Sequence, residues 1–528
     1  MKKFLCAILV LAMMISTLSV AAASDENAFA PYPETVKVTM GRETVRPLEL
    51  PDGDDQENNK YIKYIEDKLN IDISYDWIAD ANVYAEKINL AIASGQIPDV
   101  MYVNSQSQLK QLVDNELIED LTDYMEPYFS DDFNKRYADY GPRGLESATF
   151  DGRLMAIPNL NGGYEFSFLW VRRDWVNKIG AQMPTTMDEV VDLARQFMEK
   201  DPNGNGEGKT IGIAFKSHVA GQYNNLGNID PLFGVYKAFP RQWVRDENGN
   251  ISYGTIAPET KEALTKIAAL YQEGILDKEF AVRTDDEFNS LLLSGRCGMF
   301  FGPWWMPDWP LNSCKANDPE ADWVPVLAPL DANGEFNVYR QQPNNQWLVV
   351  RKGYEHPEVI FKMLSTIIKH QNDDEVENFY PGISVIWTIW PGIMIYRAED
   401  TIPQDWKLLK AALETGDTSA LNKEEMNIYT QAKEYLETQD PAGWQVYTCR
   451  IIGPEPTTRE EVRAIDNVYP LLTENMEVKW AYLEKLENEM LLKTIMGEMS
   501  VDEFDTFVQN WKTQGGDQIT EEVNAQFK

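Results

Sequence analysis

Leu291–Pro310 reads LLLSGRCGMFFGPWWMPDWP, and its breaks divide helix from strand from loop. The leucines form the apolar end of a helix that stops at Gly295, and Cys297–Phe301 then reads as a short buried strand. Gly302-Pro303 ends that strand, because proline has no N–H to give a ladder and fixes its own φ. The loop beyond carries Trp304, Trp305 and Trp309 within six residues. In an open α/β sheet, strand ends are where ligand crevices lie. The loop therefore reads as one wall of a cleft whose indole faces stack on sugar rings, or as a small aromatic core under its own turn. The residues leave both readings open.

Working outward, Val36–Met40 (VKVTM) and Ile71–Trp77 (IDISYDW) alternate apolar and polar residues as half-buried strands do. A charged linker, Asp52–Lys60, leads into a helix over Tyr61–Leu69. Tyr84, Ile88 and Ile92 mark a second helix, which Gly95 ends. Val100–Val103 is a strand running into Asn104-Ser105. This β-α-β-α-β order predicts a largely parallel sheet covered by helices. Ile157–Gly163 is a turn-rich connector, and the strand Phe166–Arg172 opens a second α/β unit. Thr186-x-x-Glu189 is a capping box before a helix bearing Val190, Val191, Ala194, Phe197 and Met198. Pro258–Gln272 is another helix, with proline at its start and Gly274 past its end.

After Gly302 the chain is expected to cross back to the first lobe, where Trp347–Val350 is a further strand. The C-terminal part is mostly helical, and Trp480 and Trp511 are assigned to its core. At 528 residues the chain is too long for one core. The expected partition is 24–155 plus 303–375 as an N-terminal lobe, and 156–302 plus 376–528 as a C-terminal lobe.

Residues 1–23 read as an export signal: Lys2-Lys3, the apolar run Phe4–Ile15, and the small residues Ala21–Ala23 before Ser24. A retained anchor is the alternative, since Phe4–Ala23 barely spans a bilayer. Without Lys2 and Lys3, 46 basic side chains face 84 acidic ones, a net charge of −38. That field argues against nucleic acid and anionic membrane surfaces as partners. Cys297, Cys314 and Cys449 remain after Cys6 leaves, too few and odd in number for a disulfide framework.

SGQIPDV (Ser94–Val100), LWVRRDWVNKIG (Leu169–Gly180), MPTTMDEV (Met183–Val190) and DPNGNG (Asp201–Gly206) resemble the larger family 1 extracellular solute-binding proteins. So does the ending TIMGEMSVDEFDTFVQNW with GGDQITEEVN. These are the binding components of carbohydrate ABC importers, the lipoprotein A-type and alginate-binding-type group. The resemblance implies a two-lobed, periplasmic-binding-protein-like (type II) α/β fold with hinge segments and a helical C-terminal part. It implies an oligosaccharide held between the lobes, transmembrane permease subunits as partners, and no catalytic residues. Members with a lipid anchor carry a cysteine at the cleavage site, whereas Ala21–Ser24 offers none.

Asp201, Asn203, Asn205 and Gly206 match the first half of an EF-hand loop, with oxygen side chains at positions 1, 3 and 5 and glycine at 6. Lys209 and Gly212 stand where position 9 and the bidentate glutamate of position 12 belong. A structural calcium ion, with Glu207 adding its carbonyl, and a metal-free Asx/Gly turn both remain open. Gly208-Lys209-Thr210 is not a phosphate loop, because it follows a helix and precedes a strand. His218, His356 and His370 are too widely spaced for a metal or triad cluster, and no serine lies in a nucleophile elbow.

What remains is an inventory suited to sugar, whose rings offer an apolar C–H face and a rim of hydroxyls. Arg42, Asn104, Ser105, Trp304, Trp305 and Trp309 are candidate ligand contacts from the first lobe. The connector adds Asn159, Asn161 and Tyr164, and the second lobe adds Tyr223, Asn224, Trp243, Trp387 and Trp390. For Trp387 and Trp390 a core position is an equal rival. The expectation is an extracytoplasmic, monomeric, non-enzymatic receptor that binds an oligosaccharide. A secreted glycan-cleaving enzyme and a receptor for a non-sugar solute are the alternatives.

Overall fold

A computed structural model describes residues 25–44, 50–221, 226–245, 249–372, 379–380 and 389–527. The chain divides into two compact units. Unit 1 takes Met1–Gly162, Pro343–Thr401 and Asn422–Glu424; unit 2 takes Gly163–Gln342, Ile402–Leu421 and Glu425–Lys528.

Unit 1 is built on a five-stranded sheet in the order Ile71–Asp80, Val36–Thr44, Val100–Val103, Trp347–Val350, Ile157–Pro158. The first three run parallel, as the alternating pattern and intervening helices predict. The Trp347–Val350 strand runs antiparallel to both of its neighbours. Local chemistry sets the helices between them. Asn59 accepts from the N–H groups of Tyr61 and Ile62 to start Lys60–Leu69, and Asn70 ends it at φ 56°. Ala81–Ser94 ends before Gly95, at φ 67°. At Gly41 the first strand slips register, and a Cβ there would lie 2.7 Å from the Trp77 ring. A side chain there would displace the Trp77 ring, and beyond the slip Arg42 and Glu43 stay in the sheet opposite Ile78 and Ala79.

Unit 2 holds a three-stranded antiparallel sheet, Met299–Gly302, Phe168–Arg172, Trp323–Val326, and a parallel pair, Phe336–Arg340 with Val462–Asp466. The Thr186 and Glu189 capping box forms at the head of Met187–Lys200. Pro258–Gln272 is a helix as expected, and Glu474–Met496 ends on the left-handed Gly497. Trp175, Phe197, Tyr253, Leu483 and Trp511 are buried in one core among these elements, and Trp480 packs half-buried against it.

The expected lobe boundaries are corrected. Pro303–Gln342 belongs to unit 2, because Trp323–Val326 pairs with Phe168–Arg172 and holds the chain there after Gly302. The chain enters unit 1 again only at Pro343 and stays to Thr401; Ala156–Gly162 also belongs to unit 1. The strand expected at Cys297 starts at Met299, Cys297 making only an isolated bridge to Ile211. Cys297, Cys314 and Cys449 are free and buried, and burial pushes the Cys297 and Cys314 thiols up to about 12. Among the described residues no helix is long and apolar enough to cross a membrane. The export signal, Tyr223, Asn224 and Trp387 lie outside the described residues.

Candidate functional site

The sheet of unit 1 brings a row of amides to one edge. Val36–Thr44 and Val100–Val103 end there in Glu43 and Asn104, Ile157–Pro158 in Asn159, and the antiparallel Trp347–Val350 begins there after Asn344, Asn345 and Gln346. Gln346 donates to Asn104 Oδ1 at 2.9 Å, and the Asn104 amide donates to the Glu43 carboxylate. Burial raises Glu43 above the usual carboxylate range, with Asn104 and Arg42 opposing. Ser105, next along the chain, stands at the head of the helix Gln106–Asp114 without a side-chain cap bond.

Behind this row lies a knot. Asn159 Oδ1 accepts from the backbone N–H groups of Asn345 and Gln346, both at 2.9 Å. Its amide donates to Asn161 Oδ1 at 2.9 Å and Asn345 Oδ1 at 2.8 Å. Two donors and two lone pairs are all that an asparagine side chain has, so buried Asn159 has nothing left for a ligand. It positions the row, which corrects its reading as a contact. Asn161 Nδ2 also donates to Asn345 Oδ1, at 3.0 Å. Ser147 ties the far end, donating to Asn344 Oδ1 and accepting from Trp347 Nε1. Asn104 and Asn345 are exposed and Gln346 half-buried.

Arg42 is turned inward, 3% exposed. Its guanidinium donates to the Trp390 carbonyl at 3.0 Å and lies 5.6 Å from the Tyr102 ring centroid. Trp390 is 4% exposed and meets Tyr61 edge-on. Both are core members of unit 1, because an arginine can be buried only where carbonyls and aromatic faces answer its charge.

In unit 2 the tryptophan loop is partly closed on itself. Trp304 is 3% exposed; its indole donates to Glu165 at 3.1 Å, and the Arg450 guanidinium lies 4.9 Å from its ring centroid. The π-helical turn Thr448–Ile452 carries Arg450, and at Gly453 a Cβ would lie 2.2 Å from the Trp304 carbonyl. Trp304 is thus the core reading of the loop, while Trp305 and Trp309 stay half-exposed. Trp243, expected as a contact, is buried between Tyr253 and Trp480. Half-buried Tyr164 lies 5.7 Å from Arg340, which pairs with Asp466.

Unit 2 also carries a small cavity, more apolar than polar in its lining, that the sequence did not reveal. With room for about one water (≈ 20 Å³), it is lined by Phe166, Ser167, Asn228, Asp230, Tyr339 and Gln341 together with Ala238, Phe239, Asn337 and Val338. Asp230 accepts from the Gly221 N–H at 2.7 Å and bonds the Tyr339 hydroxyl. Burial pushes its carboxyl up to about 7, with the Gly221 N–H, Arg241 and Tyr339 opposing. Asn228 and Asp230 flank an isoleucine with no motif around them, so nothing local marks them.

The Asp201–Gly206 loop does not fit a calcium ion. Asp201 Oδ1 accepts from Thr210 Oγ1 at 2.7 Å and from the Asn205 N–H, and Oδ2 from the Gly206 N–H. The amides of Asn203 and Asn205 turn their NH₂ groups to the Gly295 carbonyl at 3.0 and 2.9 Å. At Gly212 a Cβ would lie 2.5 Å from the Ile275 carbonyl, so no chelating side chain fits at position 12. Thr210 and these amides hold the loop together, with exposed Glu207 outside the network. Among the described residues no three His, Cys, Asp or Glu side chains gather as a metal site.

Residues 54–373 match the model of the bacterial extracellular solute-binding protein family. The chain belongs to this family. As a solute-binding protein it is 23% identical to Lipoprotein LipO of Bacillus subtilis (strain 168), covering 100% of this chain and 99% of that one. It is 22% identical to the polygalacturonan/rhamnogalacturonan-binding protein YtcQ of the same organism, over 89% of this chain and 88% of that protein. Among solved structures, the alginate-binding protein AlgQ2 without calcium ion gives a TM-score of 0.63 at 17% identity, covering 93% of this chain and 97% of that one. The S. pneumoniae substrate-binding protein FusA in complex with kestose gives 0.61 at 16%, covering 93% and 99%. The solute-binding protein therefore has the two-domain, periplasmic-binding-protein-like fold of these structures.

Proposed function

We propose that the chain is a non-catalytic, extracytoplasmic receptor that binds an oligosaccharide and passes it to the transmembrane subunits of an ABC importer. The observation that carries this reading is the amide row of unit 1. Exposed Asn104 and Asn345 and half-buried Gln346 are held in place by the saturated Asn159 behind them. Amides donate and accept at once, as a ring of sugar hydroxyls requires. Relatives with carbohydrate ligands in their names support the same class, polygalacturonan/rhamnogalacturonan for one and fructooligosaccharide for another.

The proposed contacts are Asn104, Ser105, Asn345 and Gln346 from unit 1, and Tyr164, Asp230, Trp305, Trp309 and Tyr339 from unit 2. Half-exposed Trp305 and Trp309 would cover the apolar faces of sugar rings, each aromatic contact burying up to roughly 150–250 Å². The test is a glycan panel followed by titration calorimetry. Stoichiometric binding with no change in the glycan after hours of incubation is expected. Silence across the panel would refute the sugar ligand, and shortened products would refute the receptor role.

A further inference from the structure

We propose that the ligand is a neutral oligosaccharide, and that glycans carrying carboxylates are rejected by the charge of the polar surfaces on both units. This rests on the sugar-binding reading and narrows it. The cavity of unit 2 is too small for a sugar ring, but Asp230 and Tyr339 in its lining are only half-buried, and Asp230 is its one ordinary ionisable acid. Among the described residues, no lysine or arginine lines it. The amide row of unit 1 has the same character: asparagines, a glutamine and the carboxylate of Glu43.

Arg241 faces Asp230 and donates to the Asn488 side chain, and the other arginines close to these surfaces are engaged elsewhere. Arg42 donates into the unit 1 core, to the Trp390 carbonyl. Arg340 pairs with Asp466, and Arg450 lies over Trp304 with the Asp308 carboxylate 3.9 Å away. A buried carboxylate on a ligand needs a cation or a fork of N–H donors to replace its water. On either surface it would meet an acid that repels it, Asp230 on unit 2 or Glu43 on unit 1. A hydroxyl meets carboxylates, amides and a phenol that each bond it without a charge mismatch.

Asp230 makes the discrimination depend on pH. Tyr339 and Arg241 are the titratable and charged groups that face it. Near pH 5.5 its carboxyl is largely protonated and the repulsion weakens, whereas a uronate remains ionised.

The experiment is titration calorimetry of the full chain at pH 8 and pH 5.5. One set of probes is neutral: kestose and tetrasaccharides of galactose, glucose, mannose and xylose. The other is acidic: tetragalacturonate and the tetramers of mannuronate and guluronate. At pH 8 the best neutral probe is expected to bind at least a hundred-fold more tightly than any acidic one. At pH 5.5, and in Asp230→Asn at pH 8, that ratio is expected to fall at least five-fold. The pH arm uses the unaltered chain, so it stands if the variant folds poorly. Acidic probes binding as tightly as neutral ones would overturn the inference and leave the sugar-binding reading intact. A ratio indifferent to pH and to Asp230→Asn would overturn the assignment to Asp230. Heatless titrations with both sets would overturn the sugar-binding reading itself.

Discussion

Replacing Asn159 with alanine removes four hydrogen bonds at once. Two of them satisfy the backbone N–H groups of Asn345 and Gln346, each 2.9 Å from its side-chain oxygen. Asn345 is exposed, so its N–H can recruit water; Gln346 is half-buried and less able to. A stranded buried donor costs about 1–3 kcal/mol, and a replaceable bond about 0.5–1.5 kcal/mol. The two sum to about 1.5–4.5 kcal/mol, and Asn159→Ala is expected about 3 kcal/mol, the middle of that range, below the parent in local stability. Hydrogen exchange resolves this locally, since about 2 kcal/mol is roughly thirty-fold in the opening equilibrium. The Asn345 and Gln346 amides should exchange thirty-fold faster or more, while the core strand Val100–Val103 stays protected. Asn159→Asp sharpens the test: its carboxylate still accepts both N–H groups but faces the Asn161 and Asn345 side-chain oxygens that the amide donated to. Slow exchange at Asn345 and Gln346 should therefore return while the unit as a whole melts lower. Unchanged exchange in Asn159→Ala, or an Asn159→Asp variant as stable as the parent, would refute the knot.

Three more outcomes follow from the same contacts. Glu487, buried and accepting from Trp511, Tyr253 and Thr255, is pushed up to about 7, first by burial. Its folded value lies above the unfolded value of about 4.3, so its contribution is full below about pH 4 and is lost as pH rises through about 7. Denaturant titrations should show Glu487→Gln flattening the loss between pH 5.5 and 8, by about 2 kcal/mol at most. Gly453→Ala would press a methyl group into the Trp304 carbonyl; a cost of about 1–3 kcal/mol and a red-shifted tryptophan emission are expected. Millimolar calcium or a chelator should leave the melting temperature in place, since a cation that binds the folded state would raise it. Asp201→Ala should lower it equally with either addition.

The sequence was most readable where the deciding contacts are local. Thr186 and Glu189 cap each other across three residues, and Gly497 ends a helix because the left-handed turn there suits glycine. Pairing partners distant in sequence left no such trace. Trp323–Val326 contains Pro325, which reads against a strand and is tolerated because this strand lies at an edge of its sheet. Its bonds to Phe168–Arg172, about 150 residues earlier, keep Pro303–Gln342 in unit 2. Phe336–Arg340 likewise finds its partner only at Val462–Asp466. No residue within either segment announces that partner.

The burial of the tryptophans was hard to read for a different reason. Fifteen tryptophans drew the reading toward indoles, but a large aromatic side chain gains most by being buried, and Trp243, Trp304 and Trp390 are all under 5% exposed. Each is held by something polar or aromatic that sequence spacing does not reveal: Glu165 and Arg450 for Trp304, the Arg42 bond to its carbonyl for Trp390, Tyr253 and Trp480 for Trp243. The better signal was polar. Asn344-Asn345-Gln346 stands directly before the apolar strand Trp347–Val350, and Asn104 directly after the apolar strand Val100–Val103. In a mixed sheet such flanks fall at the same edge only if the two strands run antiparallel. They do, with Trp347 opposite Val103. Amides at that edge cannot join the ladder through their side chains, so they bond one another or a ligand. The inner members, Asn159 above all, are saturated by their neighbours, and the outer ones keep a face to water. That division between holding and touching is what the geometry adds to a list of polar residues.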